Sequence, residues 1–138
     1  MLEADPAEVA VGESLQIDVW VEAGPNNPVD TVQVYLNFDP AKLQVLDVFG
    51  SGALEAELQA NWDNDRGHID YAAGTLVGTP VNAPFVLVSI EFEAVAATGT
   101  DGTGVAFAPL EAPRQTKAIR AGVNQTGGLT AVRVVVKP

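Results

Sequence analysis

The chain reads as an all-β protein: an antiparallel sandwich or barrel of short strands with little helix. Three observations carry this. Apolar and polar residues alternate in several separate runs, the two-residue period of a half-buried strand. Gly and Pro number 13 and 9 in 138 residues and sit between those runs. No segment sustains a helical period. Hydrophobic residues make up 47%, enough for a core, and the length suits one domain, residues 1–138.

"SLQIDVWVE" (14–22) places Leu15, Ile17, Val19 and Val21 on one face and Gln16, Asp18, Trp20 and Glu22 on the other. "GPNNPVD" (24–30) is a loop. In "VQVYLNFDPAKLQVLDV" (32–48), Val32, Val34, Leu36 and Phe38 alternate with Gln33, Tyr35, Asn37 and Asp39. Pro40 then ends the ladder, because it has no N–H and pushes Asp39 out of the helical region. Asp39 is placed to accept backbone N–H groups just downstream. Leu43 starts a second apolar strand, and the corner hands the chain from one sheet to the other.

"LEAELQANW" (54–62) alternates with Leu54, Ala56, Leu58, Ala60 and Trp62 on one side, although its composition also suits a helix. Trp62 is expected in the core. "DNDRG" (63–67) is a hairpin turn from which "HIDYAAG" (68–74) returns. After a loop at 78–84, "FVLVSIEFEA" (85–94) turns Val86, Val88, Ile90 and Phe92 inward. "TGTDGTG" (98–104) is a turn before a short strand around Val105 and Phe107. Residues 108–128 read as mostly irregular, and "LTAVRVVV" (129–136) closes the domain. The total is eight or nine strands.

The net charge of −11 makes nucleic acid and anionic membranes poor partners, since both need clustered Lys and Arg. The absence of cysteine excludes disulfides, thiolate metal sites and cysteine catalysis. No run is long and apolar enough to span a bilayer. "MLEADPAEVAVGE" has no basic start and no apolar signal segment, so it reads as a module cut from a longer chain.

No catalytic constellation stands out. His68 is the single histidine and reads as an exposed strand residue. Ser14, Ser51 and Ser89 lack a nucleophile elbow. Nothing singles out a carboxylate pair for glycoside hydrolysis among the 18 acidic residues. "GTLVGTP" (74–80) lacks the ending of a phosphate loop. "NQT" (124–126) fits a glycosylation sequon. Asn61, Asp63 and Asp65 alternate faintly like a calcium loop. An EF-hand would need glycine at 66 and an acid at 72, where this chain has Arg66 and Ala72. A hairpin turn is the expectation, and a surface calcium ion the lesser alternative.

The order of these pieces resembles the cohesin domain. An alternating strand ends in an aromatic-Asp-Pro corner, then two residues, a Leu and a second apolar strand, as in "VQVYLNFDPAKLQVLDV". "EVAVGESLQIDVWVE" resembles the family's opening strands, and "GHIDYAAGT" the strand after its central hairpin. "APFVLVSIEFEAVAATGTDGTGVAF" and "NQTGGLTAVRVVV" are similar to its later strands. The resemblance implies a jelly-roll-like sandwich of nine strands with no catalysis and no cofactor. It implies a module of bacterial scaffoldin or cell-surface proteins, secreted or displayed as part of a larger protein. Its partner would be a dockerin module, whose calcium is the dockerin's own.

By that resemblance the partner-binding residues are the outward positions of two strands. They are Thr31, Gln33, Tyr35 and Asn37 on the first, and His68, Asp70 and Ala72, with Thr75 beyond, on the second. Members of one class carry Asn and Asp near Thr31 and Gln33, a bulky apolar residue at Ala72 and an acid near Thr75. This chain keeps the scaffold without those contacts, so its partner differs or is absent. From the residues alone the same face reads first as a solvated outer surface, and the resemblance brings the two readings close to even. A carbohydrate-binding module is an alternative, with Trp20 its best residue, although Trp20 is expected to lie under a loop or on a neighbouring strand. A structural spacer of a surface protein is another.

Overall fold

The computed structural model describes residues 1–75, 79–109, 113–121, 123–124 and 126–138. Parts of the 74–80, 78–84, 108–128 and 124–126 expectations therefore lie outside the described residues.

Twelve strands are present among them: β1 (Leu2–Asp5), β2 (Glu8–Ala10), β3 (Ser14–Val21), β4 (Thr31–Asn37), β5 (Leu43–Gly50) and β6 (Ala56–Asp63), then β7 (His68–Gly74), β8 (Phe85–Ala94), β9 (Thr103–Phe107), β10 (Lys117–Arg120), β11 (Val123–Asn124) and β12 (Val132–Lys137). They form two facing sheets. The smaller runs β1-β3-β8-β5. In the larger, β7 lies along the whole of β4 and carries β6 on its far side. The other edge of β4 is shared: β10 pairs residues 31–33 and β9 pairs residues 36–37. β12 and β2 extend the sheet beyond β9, and that last pair is parallel.

The core lies between the sheets, built from residues that alternate inward. Leu15, Ile17 and Val19 oppose Phe92, Ile90 and Val88 across β3 and β8. Val32, Val34 and Leu36 meet them from β4, and Ile69, Val105, Val134 and Val136 complete the packing. Burying one such side chain is worth roughly 1.5–3 kcal/mol, and this layer is the main source of stability.

The Asp39–Pro40 corner transfers the chain from the large sheet (β4) to the small one (β5). The Asp39 side chain accepts the Ala41 N–H at 2.9 Å, and its carbonyl accepts those of Lys42 and Leu43. Phe38 drops inward and meets Phe92 edge to face at 5.3 Å between centroids. The carbonyl of Gly67, a residue at φ 72°, accepts the Phe38 N–H at 2.9 Å, locking the β6–β7 hairpin onto the corner.

Four expectations need correction. The strand count rises from nine to twelve because the N-terminal run breaks at Asp5-Pro6 into β1 and β2, one in each sheet. Part of the 108–128 run also supplies β10 and β11. A bulge between Glu57 and Gln59 inverts the alternation before it, so Ala56 and the 64% exposed Leu58 lie on the outer face while Ala60 and Trp62 keep the expected side. Trp62 keeps the inward side, opposite Ile69, but β6 is an edge strand that among the described residues pairs only with β7, and Trp62 is 40% exposed rather than core. A register shift opposite Val19/Trp20 buries Leu87 and leaves Val86 only half-buried.

Candidate functional site

Opposed residues of paired strands share a face, so register alone assembles the outer surface of β6, β7 and β4 in rows. One row is Asp63, His68 and Asn37; the next is Asn61, Asp70 and Tyr35. Then come Gln59, Ala72 and Gln33, continued by Lys117 of β10, and last Gly74 and Thr31, continued by Ile119. Thr31, Gln33, Tyr35, Asn37, His68, Asp70 and Ala72 therefore lie on one face, as the sequence suggested. Ala72 is the floor of that face, only 8% exposed between longer neighbours. Thr75 stands past the end of β7, its N–H donating to the Asp30 carbonyl.

The face is graded. Its Gly74 end is apolar: Leu58 Cδ1 would lie 3.7 Å from a Cβ added at Gly74, and Ile119 borders Thr31. Its other end is polar and is finished by the hairpin. Asp63 Oδ1 accepts the N–H groups of Asp65 at 2.8 Å and Arg66 at 3.1 Å. Those bonds, that of Arg66 first, hold the Asp63 carboxyl below the usual range. Asn64 turns the opposite way and bonds both the N–H and the carbonyl of Val45. The hairpin is thereby stitched to β5. Among the described residues no group of three or more His, Asp or Glu side chains is placed to hold a metal ion.

Leu58 and Lys117 of this face escaped the sequence reading, and so did the residue at its centre. Arg114 reaches over β4 from the run taken as irregular. Its Nε and Nη2 donate to Asp70 Oδ1 at 3.0 and 2.8 Å, Nη1 to Asn37 Oδ1 at 2.6 Å, and Nη2 also to the Leu36 carbonyl at 3.0 Å. The guanidinium carbon stands 5.6 Å from the centroid of the Tyr35 ring. The next residues are tied down as well: Gln33 Nε2 donates to the Gln115 carbonyl at 2.8 Å, and the Tyr35 N–H to Thr116 Oγ1 at 3.1 Å. Thr116 thus satisfies a β4 donor in the gap between β10 and β9. The one signal in the sequence was a cluster of three basic residues, Arg114, Lys117 and Arg120, in a strongly acidic chain.

Trp20 is half-buried, as expected. It borders a cavity of about 310 Å³ at one end of the sandwich, walled by Val19, Val32, Val34 and Phe107. Its Nε1–H is buried without a hydrogen-bond partner among the described residues.

A model of the cohesin domain matches residues 2–110. No curated protein sequence matches. Among similar solved structures, the third cohesin of ScaC from Acetivibrio cellulolyticus, in complex with the ScaB dockerin, is 12% identical with a TM-score of 0.74, over 93% of each chain. A cohesin module from a Clostridium perfringens family 33 glycoside hydrolase is 10% identical with a TM-score of 0.74, over 99% of this chain and 93% of that one. A non-cellulosomal cohesin from the archaeon Archaeoglobus fulgidus is 14% identical with a TM-score of 0.63, over 94% of this chain and 79% of that one. At such identities the likeness is one of fold. The family model covers most of the chain, from β1 to beyond β9, including the Asp39–Pro40 corner and all of β4, β6 and β7. On that span this chain belongs to the cohesin domain family.

Proposed function

We propose that this module docks a dockerin-type protein through the outer face of β6, β7 and β4. The observation that carries the reading is that face: three paired strands, with polar side chains at one end and, at the bulge of β6, exposed Leu58 at the other. An amphipathic helix pair fits such a surface, apolar where Leu58 protrudes and hydrogen-bonding where Tyr35, Asn37 and His68 stand. Cohesin domains are non-catalytic protein-binding modules, and this chain is not an enzyme. Calcium in the complex belongs to the dockerin, and the cohesin module supplies no cofactor. The setting is extracellular, a bacterial secreted or cell-surface assembly in which the module is one part of a larger protein.

Calorimetric titration with calcium-loaded dockerin modules encoded by the same genome tests this. Binding is expected from at least one of them and lost on calcium chelation. Leu58→Glu and Tyr35→Ala should each weaken it by about tenfold or more, as central anchors do. Binding unaffected by both substitutions would move the interface elsewhere, and failure of every dockerin would remove the partner class.

A further inference from the structure

Arg114 lies beyond the span that the family model matches, yet it occupies the middle of the face. Four of the five guanidinium N–H groups are used, on Asp70, Asn37 and the Leu36 carbonyl. The fifth, on Nη1, has no partner among the described residues. The side chains of Arg114 and Asp70 remain 23% and 26% exposed, so a partner can reach both. Lys117 stands one row away beside Gln33, its ammonium with no ion pair or hydrogen bond among the described residues. The central rows of this face therefore set Arg114 and Lys117 against Asp70, with Asp63 and its ion-pair partner Arg66 one row further out, in a chain whose net charge is −11.

The charge arithmetic has a direct consequence. Asp70 alone would attract a lysine or arginine of the partner. With Arg114 held against it at 2.8 Å, that attraction is cancelled, and an incoming cation meets two like charges. An incoming carboxylate or amide oxygen meets the spare Nη1–H and the Lys117 ammonium. Because the guanidinium is fixed by three acceptors and lies against the Tyr35 ring, little side-chain freedom is lost on binding. We propose that Arg114 is the specificity-determining side chain of this face: it selects a partner residue bearing an acceptor oxygen, a carboxylate or an amide, and turns away lysine and arginine. This rests on the reading that the face docks a protein.

The test uses two probes free of any assumption about the partner, the capped tripeptides acetyl-Ala-Glu-Ala-amide and acetyl-Ala-Lys-Ala-amide. Each is titrated into the 15N-labelled module while the amide resonances of Tyr35, Asn37 and Asp70 and the Arg114 Nε–H are followed. In the wild type the Glu peptide should move these signals and the Lys peptide should not. Arg114→Gln should reverse the preference. Asp70→Asn, which keeps Arg114, should respond to the Glu peptide more strongly than the wild type, and it carries the test if Arg114→Gln does not fold. A wild-type response to the Lys peptide, no response to either, or an unchanged preference in the folded variants would overturn the proposal. Calorimetry with the dockerin modules separates the two readings. Loss of about tenfold in affinity in Arg114→Gln is expected. A dockerin that binds both proteins equally keeps the docking and discards Arg114. If no dockerin binds while the peptide preference holds, the partner class falls and the selection by Arg114 stands.

Discussion

Replacing Gly67 by alanine tests whether the hairpin and the Asp39–Pro40 corner form one unit. Two costs combine. Gly67 has φ 72°, and an L-residue there costs roughly 1–2 kcal/mol. The added Cβ would also stand 2.0 Å from the Phe38 carbonyl oxygen and 3.0 Å from Pro40 Cδ. Neither is the end of a flexible side chain, so the hairpin itself must move, at about 1–3 kcal/mol by analogy with overpacking. The expected loss is about 2–5 kcal/mol, a large part of the roughly 5–15 kcal/mol typical of a domain. Gly12→Ala is the control. Gly12 has φ 90° with nothing within 4 Å of an added Cβ, so it carries only the first cost. Urea denaturation followed by circular dichroism should place the Gly67→Ala midpoint clearly below that of Gly12→Ala, with an unchanged slope. Equal midpoints would mean that the hairpin yields freely and does not anchor the corner.

Three further outcomes are expected. Burial, with the neighbouring Glu57 charge and hydrogen bond, pushes the Tyr71 hydroxyl up to about 12. A raised pKa means that stability is intact below the unfolded value near 10 and falls as pH climbs from there towards 12. Absorbance titration at 295 nm of Tyr35→Phe, which leaves Tyr71 as the sole tyrosine, should give that midpoint, and Tyr71→Phe should remove this part of the alkaline loss in stability. Thr116→Val would strand the partly buried Tyr35 N–H and should lower stability by about 1–2 kcal/mol, read from the urea midpoint. In Trp20→Phe, emission from exposed Trp62 should be red-shifted and readily quenched by acrylamide. Trp62→Phe should leave the bluer, protected emission of Trp20, and the reverse pattern would contradict the edge position of Trp62.

The two-layer fold was legible because burial acts on every second residue of a strand, and β3, β4 and β8 carry that period without interruption for most of their lengths. The corner was legible for a local reason: proline cannot continue a ladder, whatever lies around it. Alternation failed where the backbone slips register. A bulge adds one residue and inverts every side chain beyond it, so Leu58 emerged on the wrong face, and no residue type in "LEAELQANW" announces such a slip. Trp62 failed differently. Its face was right, but burial also depends on what lies across the gap, and an edge strand has no guaranteed cover. Most of the candidate face followed from register. Arg114 did not, because its role comes from a crossing of chain 44 residues away from Asp70 and leaves no period to read.

The distribution of charge adds a reason for docking on the larger sheet. Glu3, Asp18, Asp5, Glu91, Asp47 and Glu93 all point outward from the strands of the smaller sheet, and those strands contain no Lys or Arg. The registers set Glu3 beside Asp18, and Glu91 beside Asp47, with nothing of opposite sign between them. The larger sheet instead carries Lys117, Arg120, Arg133 and Lys137 on its strands, and Arg114 above them. An acidic partner approaching this module is repelled from one face and meets compensated charge on the other, so the field orients the encounter before any contact forms. Screening weakens repulsion between exposed carboxylates more than it weakens the partly buried Arg114–Asp70 pair. Added salt should therefore blunt the orienting field while leaving the local geometry at Arg114 in place. The dependence of association rate on ionic strength then reports the two sheets together, whereas the dependence of dissociation rate reports the docking face alone.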